Sequence, residues 1–165
     1  MGDIQRQKFE AGTIVGVEVR PLKKHRDERG WLVEIFRTDE LDSKIRPVMV
    51  YVSETLPDVA RGPHEHMEQT DYFCFLGPST FEVTLWDNRA RSPSYGKRQT
   101  LVAGADNPCV VVVPEGVVHV YRNVGKEPGW VINCPNKLYG GEGRKEAVDE
   151  VRHEKDPNSP FRIAT

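Results

Sequence analysis

No window of this chain approaches the roughly 20 consecutive apolar residues that a membrane-spanning helix requires. The start, Met1-Gly2-Asp3-Ile4-Gln5-Arg6, has no apolar stretch of the kind that directs secretion. The expectation is a cytoplasmic protein with no membrane partner. A basic excess is missing too. The 23 Lys and Arg residues face 25 Asp and Glu, for a net charge of −2, so no nucleic-acid partner is expected. Basic groups gather only locally, at Arg20, Lys23, Lys24, Arg26 and Arg29, where a small anion could be met. Cysteine is scarce. Cys74, Cys109 and Cys134 form no Cys-x-x-Cys pair, which argues against a zinc knot and a disulfide framework. Cys74 and Cys109, flanked by strand-like apolar residues, read as buried, reduced thiols.

Helical periodicity is weak, and what remains is a β chain. Strand patterns cover Thr13 to Val19, Trp31 to Phe36, Pro47 to Ser53, Asp71 to Leu76 and Thr80 to Trp86. They continue over Gln99 to Val102, Cys109 to Val113, His119 to Asn123 and Trp130 to Cys134. Turn signals separate them, among them Gly77-Pro78, Asp87-Asn88 and Ser92-Pro93. Short strands at this spacing predict an all-β sandwich or barrel. The length of 165 residues suits one domain with a full core. Glu142 to Glu154 could carry a short helix, and Glu40 to Lys44 a helical turn. Residues 1–10 read as an N-terminal arm and 142–165 as a peripheral C-terminal segment, of a kind that often packs on a partner subunit.

Two histidine motifs lie about fifty residues apart: Arg61-Gly62-Pro63-His64-Glu65-His66 and Pro114-Glu115-Gly116-Val117-Val118-His119-Val120-Tyr121-Arg122-Asn123. Alternate residues of a strand share a face, so His64 and His66 look into one space. A facing strand would add His119. Three converging imidazoles make either a proton-transfer site or a metal site. The metal alternative uses His64, His66 and His119, with Asp71 or Glu68 as a fourth ligand, and suits one divalent transition metal.

The two motifs, in this order, resemble those of the cupin superfamily. That implies a double-stranded β-helix, a jelly-roll barrel with short peripheral helices. Most of the chain resembles one branch, the dTDP-4-dehydrorhamnose 3,5-epimerase family. The likeness rests on Asp27-Glu28-Arg29-Gly30-Trp31-Leu32-Val33-Glu34, Arg61-Gly62-Pro63-His64, Ser92-Pro93-Ser94-Tyr95-Gly96, Pro114 to His119, and Asp156-Pro157 before Phe161. It implies a homodimeric isomerase acting on a nucleotide-diphosphate sugar without a cofactor. His64 would remove a proton alpha to the keto group, and His66, which stands outside that family's pattern, would be its partner acid. Glu82 would orient the base. Arg29, Glu34 and Arg61 would hold the nucleotide diphosphate and base, arginine suiting phosphate through bidentate bonds. Tyr51 could stack on the base, and His119 would line the pocket.

Departures stand beside the likeness. The family's acid tyrosine falls near Ile132 or Asn133, where this chain has none, and Tyr139 reads as too far along to replace it. The glutamine two residues after the family's histidine is here His66. Arg61-Gly62-Pro63-His64-Glu65-His66 also resembles the Arg-Gly-x-His-Ala-His motif of the sugar 3,4-ketoisomerases, whose chemistry needs one face only. The expected reaction is thus epimerisation or 3,4-ketoisomerisation of a dTDP-4-keto-6-deoxy sugar. The alternatives are a metal-dependent cupin enzyme or metal-binding module, and a non-catalytic sugar-nucleotide binding protein.

Overall fold

Valine-rich and aromatic runs pair into two sheets that close face to face over one apolar interior. The computed structural model describes residues 8–163. The six-stranded sheet runs, in spatial order, β1 (Glu10–Ala11), β9 (Lys97–Gly104), β8 (Thr80–Asp87), β11 (Val117–Asn123), β6 (Ala60–Glu65) and β13 (Val151–Arg152). The five-stranded sheet runs β2 (Glu18–Pro21), β10 (Cys109–Val113), β7 (Asp71–Phe75), β12 (Gly129–Asn133) and β5 (Tyr51–Thr55). A separate hairpin joins β3 (His25–Asp27) to β4 (Gly30–Leu32). Apart from the parallel β1/β9 pair, the strands described here pair antiparallel.

Alternation sets the layers. Phe73, Phe75, Phe81, Val83, Leu85, Val111, Val113, Val117 and Val131 fill the space between the sheets. The opposite faces are covered as well. Tyr72, Cys74, Val110 and Val112 lie under Ile35, Leu41 and Ile45. Trp86, Val118 and Val120 lie under Phe161, with Phe9 and Ile163 at the edge. Strands covered on both sides carry unbroken apolar runs instead of alternation, which is why β7 and β10 are buried at every position. The three cysteines are buried and free.

Several boundaries differ from the sequence expectation. The Thr13 to Val19 strand shrinks to Glu18–Pro21, because Gly16, at φ +86°, turns the chain first. The Trp31 to Phe36 strand ends at Leu32, and the Pro47 to Ser53 strand starts at Tyr51. The expected helix over Glu142 to Glu154 does not form. Two single 3-10 turns, Glu142–Arg144 and His153–Lys155, flank β13 instead. Gly140, Gly141 and Gly143 all take positive φ there, which no α-helix continues through. Glu40 to Lys44 is realised as a 3-10 turn at Ser43–Ile45, capped by Asp42. Residues 1–7 of the N-terminal arm lie outside the described residues. Its described end packs on its own chain, Phe9 against Phe161 and Glu10 beside Lys97. No helix of the described residues is long and apolar enough to cross a membrane.

The β8–β9 connection depends on one buried carboxylate. Asp87 accepts hydrogen bonds from Arg89 Nε at 2.8 Å and from the Ser92 and Ser94 hydroxyls at 2.6 Å. Burial alone would raise its pKa, but Arg89 and the two hydroxyls prevail and hold it at about 2. A carboxylate lowered on folding stabilises above its unfolded pKa, near 4, and loses that contribution as pH falls through the folded value. Asp87→Asn is expected to cost about 2 kcal/mol at pH 7, with the deficit against wild type shrinking toward pH 2. Denaturant unfolding across that pH range measures both quantities.

Candidate active site

β6 and β11 are neighbours, and their register sets His119 directly against His64. Their close approach depends on Gly62, at φ +96°. A Cβ there would stand 2.5 Å from the His119 carbonyl oxygen, so only glycine fits. His66 follows His64 on the same face. The ring centroids are 4.4 Å apart for His64 and His119, 5.6 Å for His64 and His66, and 5.8 Å for His66 and His119.

The facing sheet contributes Asp71, at the start of β7 and only 1% exposed. Its Oδ2 lies 3.2 Å from His66 Nε2 and 3.3 Å from His119 Nε2. Neither approach has hydrogen-bond alignment, so the contact is one of charge. Oδ1 accepts from Gln69 Nε2 and Asn133 Nδ2, each at 2.8 Å. Burial opposes a charge on Asp71, but His119 and His66 hold its carboxyl well below the usual range. The same exchange divides the histidines. Burial favours a neutral His66, yet the adjoining Asp71 and the Asp149 carbonyl raise its pKa to about 9. Burial, reinforced by His119 and His66, lowers His64 to about 2. At neutral pH the site therefore presents a neutral imidazole beside an imidazolium, the arrangement that separates a base from an acid.

Asp149, which the sequence reading did not single out, fixes this geometry from the C-terminal segment. Its carboxylate accepts the backbone N–H groups of Met67, Glu68 and Gln69 at 2.8, 2.8 and 3.0 Å. Its backbone carbonyl accepts from His66 Nδ1. That bond fixes the orientation of the His66 ring and turns Nε2 to Asp71. His119 is fixed likewise, with Nδ1 at 3.0 Å from the Val117 carbonyl.

His64 and His66 open onto a cavity of about 800 Å³, within the range for small-molecule sites. Tyr51, Arg61 and Tyr121 share its wall. Arg61 is held by Thr55 Oγ1 and the Glu54 carbonyl, leaving Nη1 for a ligand. His119 stands behind this wall, 2% exposed, and reaches the cavity through Asp71 and its neighbouring rings.

Four expected placements change. Glu82 does not orient His64. It pairs with Arg122 across β11 and shares the outer face with Trp86, whereas His119 and Leu85 face inward. The carboxylate beside the histidines is Asp71. Arg29 sits at the tip of the β3–β4 hairpin, 84% exposed and paired with Asp27. Glu34 lines a second cleft of about 280 Å³ with Arg20, Arg37 and Tyr72. Within one chain neither residue lines the histidine cavity. Tyr139, expected to lie too far along, does line the cavity.

The histidine donor atoms of His64, His66 and His119 lie within 4.8 Å of one another. His66 and His119 each give Nδ1 to a backbone carbonyl, as metal-binding histidines do, and their Nε2 atoms converge near Asp71 Oδ2. With Asp71 Oδ2 and His119 Nε2 lacking aligned partners, this donor set also fits a divalent transition metal.

Comparison with known proteins agrees with the geometry. The chain is 42% identical over 135 residues to a probable low-salt glycan biosynthesis epimerase of Haloferax volcanii, covering 81% of this chain and 85% of that protein. It is 34% identical over 126 residues to a spore coat polysaccharide biosynthesis protein of Bacillus subtilis, covering 76% and 82%. Its fold is similar to the crystal structure of a dTDP sugar isomerase from Desulfovibrio desulfuricans, with a TM-score of 0.78, 24% identity, and 90% and 91% of the two chains covered. The sequence model of dTDP-4-dehydrorhamnose 3,5-epimerase matches residues 12–148. The jelly-roll barrel, the paired histidine strands and this match together make the chain a member of the dTDP-4-dehydrorhamnose 3,5-epimerase family of cupin-fold isomerases.

Proposed function

We propose that the protein acts alpha to the keto group of a dTDP-4-keto-6-deoxy sugar, by epimerisation or by 3,4-ketoisomerisation. The observation that carries the reading is the pairing of His64 and His66 on one wall of a cavity large enough for a sugar nucleotide. His64 removes the alpha proton and leaves an enediolate. His66, held as an imidazolium by Asp71, donates to the developing oxyanion, where a charge-assisted bond is strongest. Protonation of that carbon on its opposite face gives an epimer, whereas protonation at C4 with loss of the C3 hydroxyl proton moves the ketone from C4 to C3. Arg61 binds the diphosphate through its free guanidinium edge.

The proposal includes a homodimer in the cytoplasm. Arg29 and Glu34 take part through a second copy, since the β3–β4 hairpin projects with Trp31 and Leu32 exposed.

Incubation with a dTDP-4-keto-6-deoxyhexose in deuterated water, followed by NMR, tests the reaction. Deuterium entering at C3 or C5 with a new sugar formed is the expected result, and the absence of both overturns it. A second reading, a metal-dependent cupin, is favoured by the unaligned Asp71 and His119 atoms. It requires stoichiometric metal in the purified protein that His66→Ala releases.

A further inference from the structure

Inverting a carbon centre takes two groups, a base on one face and a proton donor on the other. The three histidines lie on neighbouring strands of one sheet or directly after them, so a donor for the opposite face must come from elsewhere. Three phenols line the cavity. Tyr121 belongs to β11 with His119, its ring among Phe73, Phe75 and Phe81 and its hydroxyl shared with Ser53. Tyr139 is at the mouth, 55% exposed. Tyr51 alone comes from a strand of the facing sheet.

Its surroundings are specific. Tyr51 on β5 is the cross-strand partner of Asn133 on β12, and such partners share a face. Asn133 Oδ1 accepts the Tyr72 backbone N–H at 3.0 Å, which fixes the orientation of the amide. Nδ2 then donates both to Asp71 Oδ1 at 2.8 Å and to Tyr51 Oη at 2.9 Å. The Tyr51 oxygen is thus an acceptor in its one recorded bond. Its own proton has no other recorded partner among the described residues and is free for the cavity.

We propose that Tyr51 is the catalytic acid for the face opposite His64, resting on the function proposed above. In the step, the alpha C–H bond breaks and its proton goes to His64. The Tyr51 O–H proton then forms the new C–H bond on the other face, and the phenol becomes a phenolate. Asn133 Nδ2 continues to donate to that phenolate, stabilising it. His64 returns its proton to water and the phenolate takes one, so the cycle closes without any further reactant. A phenol, with an ordinary pKa near 10, carries its proton at neutral pH, and desolvation moves that of Tyr51 further up against the opposing Asn133 bond.

The test compares wild type with Tyr51→Phe in deuterated water, using a dTDP-4-keto-6-deoxyhexose and NMR detection of both exchange and product. Tyr51→Phe is expected to keep deuterium entry at the alpha carbon within about threefold of wild type, with retention of configuration. Formation of the inverted sugar should fall by about 100-fold or more. A purely structural loss would lower exchange and inversion together, and dTDP affinity measured by calorimetry reports site integrity. Inversion by Tyr51→Phe within about threefold of wild type overturns the assignment. A wild-type product formed only by ketone migration also overturns it, while leaving the enediolate chemistry in place. Absence of any exchange in wild type overturns the proposed function, and Tyr51 with it. If Tyr51→Phe does not fold, wild-type protein carrying difluorotyrosine replaces it. The ratio of inversion to exchange, in which loss of the His66 proton cancels, should then fall at lower pH than in wild type, and a ratio with an unmoved pH dependence overturns the assignment.

Discussion

His64→Ala is expected to lower turnover by at least about 10³-fold, at the upper part of the range for removing a positioned general base, with dTDP binding within about threefold of wild type. The expectation follows from where His64 stands. Its ring opens on the cavity, and burial among two other imidazoles keeps it neutral down to a pKa of about 2. It therefore carries no second proton at rest, leaving a free lone pair on a ring that faces the cavity. Phosphate recognition lies with Arg61, which is held by backbone and Thr55 rather than by His64. Single-turnover kinetics with calorimetry separates the two effects. Retained turnover in this variant would remove the central claim.

Asp71→Asn is expected to lower turnover by about 10²-fold to 10³-fold, the cost of removing a preorganised electrostatic partner, and to reshape the pH profile. Asp71 is what offsets the burial of His66 and keeps it charged to about pH 9. Wild-type activity should thus decline as pH rises through about 9, when His66 loses its proton. Without the carboxylate, only Asp149 of the two aspartates opposes burial, and the decline should begin at lower pH. The sign for stability is the same. A histidine raised on folding stabilises below its unfolded value, near 6.5, and loses that contribution as pH rises through its folded value of about 9. Rate profiles and thermal unfolding between pH 6 and 10 check both. A variant whose alkaline limb coincides with that of wild type would dissociate Asp71 from the acid.

The parts of the fold legible in the sequence are those where local pattern and burial agree. Cys109 to Val113 and Asp71 to Leu76 could be read because both faces of their strands are covered and the apolar run is continuous. The His64 and His66 pair could be read because a two-residue spacing on a strand has one geometric meaning. The misplacement of Glu82 is a failure of parity. Val83 and Leu85 face the interior, so their neighbour at 82 faces out, and strand alternation carried that signal. Asp71 was legible only as a possible metal ligand, since its link to both histidines crosses between sheets. Asp149 left no signal. It acts through its backbone carbonyl and on three backbone amides 80 or more positions away, and such contacts are made by chain path, not by residue pattern. The helix expected over Glu142 to Glu154 failed because its charged pattern was weighed above the glycines at 140, 141 and 143.

The Asp149 clamp has a consequence for how this enzyme can change. The imidazoles stand on barrel strands or directly after them, whereas the carbonyl that orients His66 belongs to Asp149, in the segment between the 3-10 turn Glu142–Arg144 and β13. The barrel supplies the imidazoles, and this C-terminal segment decides how one of them is turned. Reactivity can therefore be retuned by altering a short terminal segment, while the strands that bear the reacting groups stay as they are.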